Sequence, residues 1–339
     1  MKLHKKFTKA TGLSSISKKN KVVILATGGT IAGSGEQGKE TGYSSGVLTI
    51  DSILAAVPKI SELADIESVQ ICNVNSDDMT SEIWIQLTNT INEYADDPNV
   101  AGFVITHGTD TLEETAYFLN LTVKTEKPVV LTGSMRPATS ISADGPMNLY
   151  QAVCVATSSD AVGKGVLAVF SDMIYSARSV SKRSTYNVMA INSGEMGAMG
   201  IVRNDRAYFY EAPIKYHTSE SEFDVSGLTE LPKVSIVYFF VDADPDILEA
   251  VSKISAGIVI AGAGAGEFSE KYIDVINSLN IPVVISSRID DGIITQDSVL
   301  CKHTVAANNL SPQKAAVLLR LALTKTSDFD ELLRIFSMY

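Results

Sequence analysis

Two corners of this chain carry alcohols where chemistry is possible. In the segment Thr106-His107-Gly108-Thr109-Asp110-Thr111, a threonine hydroxyl at Thr109 stands next to the Asp110 carboxylate. In Thr27-Gly28-Gly29-Thr30, a second hydroxyl follows a pair of glycines. Paired glycines let backbone approach a ligand closely and leave amide hydrogens for it. An alcohol becomes a nucleophile only when a neighbour takes its proton. Alcohols at such corners are therefore candidates for catalytic machinery, set against a plain turn-capping role.

Each corner must be positioned by the elements around it. Val22 to Ala26 and Gly102 to Ile105 are short apolar runs of buried-strand type, and residues 112–123 are amphipathic. The second corner is thus a strand, a polar turn and a helix. Thr111 and Glu114 fit an S/T-x-x-E capping box, which predicts the helix start there. The carboxyl ends of strands in open α/β sheets are where ligands bind. Further strand-like runs occur at 129–132, 166–170, 234–240, 257–261 and 283–286. Helical patterns alternate with them at 82–95, 148–156, 270–279 and 312–324, the last opened by Ser311-Pro312 as N-cap and N1. This alternation predicts an α/β fold with mainly parallel sheet and helices on both faces. A polar stretch with Pro213 and Pro232 reads as a linker. It divides the chain into a basic tail over 1–20, a domain over 21–212, a linker over 213–233 and a smaller domain over 234–339.

The 339 residues carry a net charge of -11. An acidic surface argues against a polyanionic partner such as nucleic acid. No apolar run approaches the ~18–20 residues of a membrane span. Six lysines fall within the first twenty residues, with no apolar h-region, so the tail reads as solvated and the compartment as cytoplasmic. Cys72, Cys154 and Cys301 make no CxxC motif and read as buried, inert thiols. Four scattered histidines suggest no metal site; His107 reads as structural and Trp84 as packing.

Three glycine patterns match known motifs without their context. Gly33 to Gly38 fits G-x-G-x-x-G but starts late and opens no helix; with Lys39 it approaches a P-loop, yet Glu40 stands where a hydroxyl is needed. Gly42 to Gly46 fits G-x-S-x-G without a flanking strand or helix. This glycine-punctuated loop holds Tyr43, either a surface tyrosine or a lid that delivers a phenol. Gly262-Ala263-Gly264-Ala265-Gly266 follows a strand directly and is either a crevice wall or a tight turn.

Taken together, Thr27 to Ala32 and Gly102 to Leu112 resemble the two signatures of the bacterial-type L-asparaginase/glutaminase family, closest to type II. Gly133-Ser134-Met135-Arg136-Pro137, Ser142 to Pro146, His217-Thr218, Ser286-Ser287-Arg288 and Thr295-Gln296-Asp297 extend the match. The resemblance implies a Rossmann-like N-terminal domain, a smaller C-terminal α/β domain and a homotetramer of intimate dimers. It implies cofactor-free hydrolysis of L-asparagine, with L-glutamine as secondary substrate, through an acyl-enzyme. By resemblance Thr30 is the nucleophile and Tyr43 its partner. Thr109, Asp110 and Lys182 form the second catalytic group. Ser76 and Asp77 hold the substrate's α-carboxylate and α-amine; Gly29 and Ser134 also line the substrate. Amides at Gly29-Thr30 and Thr109 suit the developing oxyanion. Three departures stand out. Asp77 is a methylene shorter than the family's usual Gln or Glu. Val299 occupies the place of a neighbour-subunit glutamate, while Glu267 stands where Asn or Ser is usual, which suggests that Glu267 supplies the missing carboxylate. An amidotransferase subunit, a silent amino-acid binder and a nucleotide-binding α/β protein are the alternatives.

Overall fold

A computed structural model of the chain describes residues 20–33 and 49–339. Strand β1 (Lys21–Gly28) leads through the short helices α1 (Ile50–Ala55) and α2 (Ile60–Leu63) to β2 (Asp65–Val74). Then come α3 (Ser81–Ala95), β3 (Val100–Thr106), α4 (Leu112–Thr122), β4 (Val129–Thr132), α5 (Gly145–Ala156) and β5 (Val166–Phe170). Five short strands follow: β6 (Met173–Ser176), β7 (Ser181–Lys182), β8 (Ile191–Asn192), β9 (Gly200–Arg203) and β10 (Arg206–Phe209). The remainder is β11 (Val234–Tyr238), α6 (Asp246–Ser252), β12 (Gly257–Gly262), α7 (Glu270–Ser278), β13 (Val283–Ser287), β14 (Thr304–Ala306), α8 (Pro312–Ala322) and α9 (Phe329–Met338).

The first sheet has the order β10-β9-β6-β5-β4-β3-β1-β2. Strands β1 to β5 pair in parallel, and the β6-β9-β10 edge is antiparallel. The chain moves from β1 outward to β2, then crosses to the other side of β1 for β3, β4 and β5. The direction of winding therefore reverses between β1 and β3, and such a reversal leaves a crevice at the strands' carboxyl ends. Register fixes the height of the loops that open there: Ala26 pairs with Thr106, and Thr106 with Thr132. Three corners thus leave the sheet at one level. The second sheet, β11-β12-β13-β14, is parallel and winds in one direction without a reversal.

The apolar runs of β1, β3, β4 and β5 are buried on both faces, as central parallel strands must be. One cluster packs the β1–α5 face of the large sheet. Another covers the opposite face through α3 and α4 and continues without a break into Val259, Val284 and the buried side of α8. Helix α8 thereby belongs to both halves: it lies on β11, β12 and β13 and against α4.

The capping box is corrected by the structure. Thr111 is indeed the N-cap of α4, but its side chain makes no cap bond. Its hydroxyl donates instead to the Ser76 carbonyl at 2.6 Å. The loop carrying Ser76 competes for the hydroxyl and wins. Ser311, by contrast, does cap α8, accepting from the Lys314 amide. Cys72 also departs from expectation, being half-buried, whereas Cys154 and Cys301 are buried.

Candidate active site at the sheet reversal

The two alcohol-bearing corners meet backbone to backbone. Gly28 and Gly29 have φ of +107° and +82°, and Gly29 has ψ of -172°, a region open essentially to glycine alone. A Cβ on Gly29 would lie 2.3 Å from the Gly108 nitrogen and 2.4 Å from its Cα. A Cβ on Gly108 would lie 2.8 Å from both Cβ and Oγ of Ser76. Absent side chains thus allow three loops to close on one another: the one after β1, the one after β3 and the Ser76 turn. The Gly29 amide donates to the Val74 carbonyl at 3.1 Å. Thr27 ties the first corner to the second through a 2.9 Å bond from its hydroxyl to the Thr106 carbonyl. Thr30 is buried in the first residue of the following turn.

Lys182 arrives from strand β7. Its Nζ lies 2.9 Å from Thr109 Oγ1 and 2.6 Å from Asp110 Oδ1. Thr109 is buried, while the Asp110 side chain is 66% exposed. The ammonium is therefore held between a sheltered alcohol and a solvent-facing carboxylate. Glu113, in the first turn of α4, accepts from the Lys182 amide at 2.8 Å and from Gln313 Nε2 at 2.6 Å. Lys314, buried at the start of α8, donates to the carbonyls of Arg178 (3.0 Å) and Val180. Both ends of the lysine-bearing segment are thus fixed by α4 and α8. Burial pushes the Lys314 ammonium down to about 8.

Ser76 is buried, and its Oγ accepts from the Asp110 amide at 3.2 Å. An accepting hydroxyl keeps its own proton for another partner. Asp77 is exposed in the same turn. Ser134 is fully buried, and its Oγ has no hydrogen-bond partner among the described residues. Its loop is held by Asp144, whose carboxylate accepts from the amides of Met135 and Arg136 at 2.9 Å each.

His107 is not a base here. Its Nδ1 contacts the Gly108 carbonyl at 2.7 Å and its Nε2 the Thr115 hydroxyl at 2.9 Å. Complete burial pushes its pKa down to about 4, so it braces the corner as a neutral ring. Trp84 donates to the same Thr115 hydroxyl at 2.7 Å and stacks on Phe118.

Residues 21–215 match the model for the asparaginase N-terminal domain, and residues 233–336 that for the glutaminase/asparaginase C-terminal domain. The chain belongs to the asparaginase family. It is 43% identical to L-asparaginase 2 of Escherichia coli K12, over 94% of this chain and 93% of that one. Identity to the glutaminase-asparaginase of Acinetobacter glutaminasificans is 40%, over 95% and 100% of the two chains. The crystal structure of a probable cytoplasmic L-asparaginase from Campylobacter jejuni superposes with a TM-score of 0.91 at 45% identity, over 95% of this chain and 100% of that one.

Of the asparaginase-family residues expected from sequence, the structure gathers Gly29, Ser76, Thr109, Asp110 and Lys182 around the sheet reversal, with Thr30 directly after Gly29. Tyr43 and the glycine loop at 34–48 lie outside the described residues. Glu267 lies elsewhere in this chain. It is exposed on a tight turn in which Ala263 and Glu267 exchange both backbone hydrogen bonds, at 2.8 and 2.7 Å. Glu267 and Val299 line one small hollow, so the gained and the lost carboxylate positions are spatial neighbours. Glu113, Lys314 and Asp144 were not singled out by sequence reasoning. The Asp144-Gly145-Pro146 run is a helix-start signal, but nothing local shows that its carboxylate bonds backward to residues 135 and 136.

Proposed function

We propose that the chain hydrolyses the side-chain carboxamide of L-asparagine to L-aspartate and ammonia, with L-glutamine as a slower substrate. The observation that carries the reading is the bridge from Lys182 Nζ to Thr109 and Asp110, at the crevice where Gly29 presses on Gly108. Family membership supplies the reaction class, and the crevice supplies the arrangement.

In the proposed course Thr30 Oγ attacks the carboxamide carbon, and its proton is relayed through the hydroxyl of its partner Tyr43 towards the amide nitrogen. The amides of Thr30 and Thr109 receive the developing oxyanion; the Gly29 amide, expected to join them, is taken by the Val74 carbonyl. The C–N bond then breaks, ammonia leaves carrying the proton that Thr30 gave up, with Thr109 and Lys182 lining its path, and an aspartyl ester remains on Thr30. Water attacks the ester carbonyl, releases aspartate and restores the hydroxyl. Ser76 and Asp77 receive the substrate's α-carboxylate and α-amine, and Asp110 faces the ammonium; Ser134, expected to line the substrate, is fully buried in this chain and stands behind the site. No cofactor enters these steps.

Glu267 is assigned to the site of a neighbouring copy, where it replaces the carboxylate that Val299 lacks. Association into a homotetramer is supported by large apolar side chains exposed on the single chain, among them Ile214 (96%) and Ile141 (93%). Among the described residues no helix is long and apolar enough to cross a membrane. Its likeness to the probable cytoplasmic L-asparaginase of Campylobacter jejuni supports a cytoplasmic location.

The test is ammonia release from both amides by wild type, Thr30→Ala and Thr109→Val. Both variants are expected to lose asparagine hydrolysis while remaining folded. Full activity in Thr30→Ala would remove the proposed nucleophile.

A further inference from the structure

Lys182, whose ammonium bridges Thr109 and Asp110, stands on the smallest of the three described sheets. Strands β7 and β8 pair over two residues each, Ser181 with Asn192 and Lys182 with Ile191. A hairpin that short does not hold its shape alone, so the position of Lys182 is set from outside. Ahead of it, the second half of the chain grips the segment. Arg178 gives Nε to the Tyr339 backbone oxygen and Nη1 to Asn309 Oδ1, and Lys314 holds the Arg178 and Val180 carbonyls. At Lys182 itself, Glu113 holds the amide.

Directly after Lys182, a carboxylate of the second half takes over. Asp291, in the loop that follows β13, pairs with Arg183 in bidentate fashion, with both N···O distances at 2.7 Å. Its Oδ1 also accepts from the Glu195 amide at 3.2 Å, in the turn after β8. One side chain therefore holds both limbs of the hairpin. The fit is close: a Cβ on Gly194, at φ +49°, would lie 2.4 Å from Arg183 Cζ and 2.4 Å from Asp291 Oδ1. The pair is sheltered, with side chains 20% and 35% exposed, and bidentate geometry fixes orientation as well as distance. Arg183 and the Glu195 amide hold the Asp291 carboxyl below its usual range. The loop is itself tied down, since Arg288 donates to the Phe239 carbonyl at 3.0 Å. Ser181 and Arg183 face the cleft between the halves, while Lys182 between them reaches the site, as alternation along an extended chain requires.

We propose that Asp291 is a positioning residue for Lys182: by holding Arg183 and the Glu195 amide, it sets where the ammonium meets Thr109 and Asp110. This role rests on the asparagine-hydrolysing reading given above. Asp291 acts through Arg183 and not on the substrate. The second half thus serves the site of its own chain, apart from any residue it lends to a neighbouring copy.

Asparagine hydrolysis and amide hydrogen exchange are measured on the full chain for wild type, Asp291→Asn, Arg183→Gln and the double variant. Asp291→Asn keeps an acceptor for the Glu195 amide and removes the charge. In each single variant kcat is expected to fall about tenfold with KM within about twofold. That is less than the ~100-fold a 1 Å misplacement can cost, because Glu113 still holds the Lys182 amide. The double variant should lose no more than the worse single one, as two groups acting as a unit do. Amides of residues 181–195 should exchange at least about threefold faster in Asp291→Asn. A pair that only stabilises the fold would lower the melting temperature and leave kcat alone, and that result overturns the proposal. Single losses that multiply in the double variant, or unchanged exchange over 181–195, overturn it as well. A wild type that releases no ammonia from either amide fails the functional reading and takes this role with it. An active wild type whose Asp291→Asn variant keeps its kcat fails this role alone.

Discussion

The corner after β1 and the corner after β12 start from the same materials and end differently. Both are glycine-rich, and both follow a buried parallel strand at its carboxyl end. After β1, the winding of the sheet reverses, and the glycines serve to bring separate loops together. After β12, the sheet winds on in one direction, and the turn closes on itself through the paired Ala263 and Glu267 bonds. Glycine content alone does not make a site. What matters is whether topology leaves a neighbouring loop for the bare backbone to approach.

The sharpest way to break this comparison is to add one methyl group to each corner. Gly29→Ala forces a Cβ into Gly108 backbone at 2.3 Å. It should lower kcat/KM for asparagine by at least about 100-fold, since a misplacement of about 1 Å is enough for that. Gly264→Ala has nothing within 4 Å and carries only the strain of φ +50°, about 1–2 kcal/mol. Its activity should stay within about twofold. Steady-state kinetics and urea melts of the two variants decide the matter; equal losses of activity would sink the distinction.

Next in size is Lys182→Met, which should cost roughly 10²–10⁴ in kcat, the range of a positioned proton-transfer group. Glu113→Gln tests whether Lys182 must be fixed as well as present. It weakens the acceptor for the Lys182 amide while leaving Lys182 itself, so kcat is expected to fall about tenfold with KM little changed. An unchanged kcat would reduce Glu113 to packing.

The second corner's buried groups also set a pH dependence that the exposed turn after β12 lacks. His107, held near 4 when folded, resists protonation that the unfolded chain accepts near 6.5. Stability from this group is therefore lost as pH falls from about 6.5 towards 4. Burial, with Glu113 alongside, lifts Glu114 to about 7, so the folded state holds a proton that the unfolded chain has released above about 4.5. Its contribution is present below that and is lost as pH rises through 7. The two slopes oppose each other over the same window, each at most about 1.4 kcal/mol per pH unit. Glu114→Gln removes one of them. Urea denaturation between pH 4.5 and 7 should then show stability climbing more steeply with pH than in wild type; a flatter curve would refute the assignment.

The smallest effect expected is that of Glu267→Gln, a rise of a few-fold in KM for asparagine at constant kcat, in line with the modest worth of an exposed ion pair. An unchanged KM would return Glu267 to a solvated turn residue.

Much of the scaffold could be read from the chain because its central strands are buried on both faces and spell themselves as apolar runs. Strands β1, β3, β4, β5, β12 and β13 are of this kind. The edge strand β2 alternates between half-buried and exposed residues and has no such run, and β6, β9 and β10 are only four residues each. The Thr111 cap was misread because its competing acceptor, Ser76, is 35 residues away. Glu113 was invisible for the same reason: its partners lie 69 and 200 positions along the chain. Helical spacing marks a glutamate near a helix start as a dipole partner, and only the fold shows a catalytic segment resting on it. The reversal between β1 and β3 had no local signature, because strand order is a property of the whole sheet.

Helix α8 is apolar on the side that faces its own sheet and on the side that meets α4. Cutting the chain within 213–233 would therefore not yield two soluble fragments, because each would bare a broad oily surface meant for the other. A protease nick in that stretch should instead leave the pieces clamped together and still turning over substrate, whereas either piece expressed alone should aggregate.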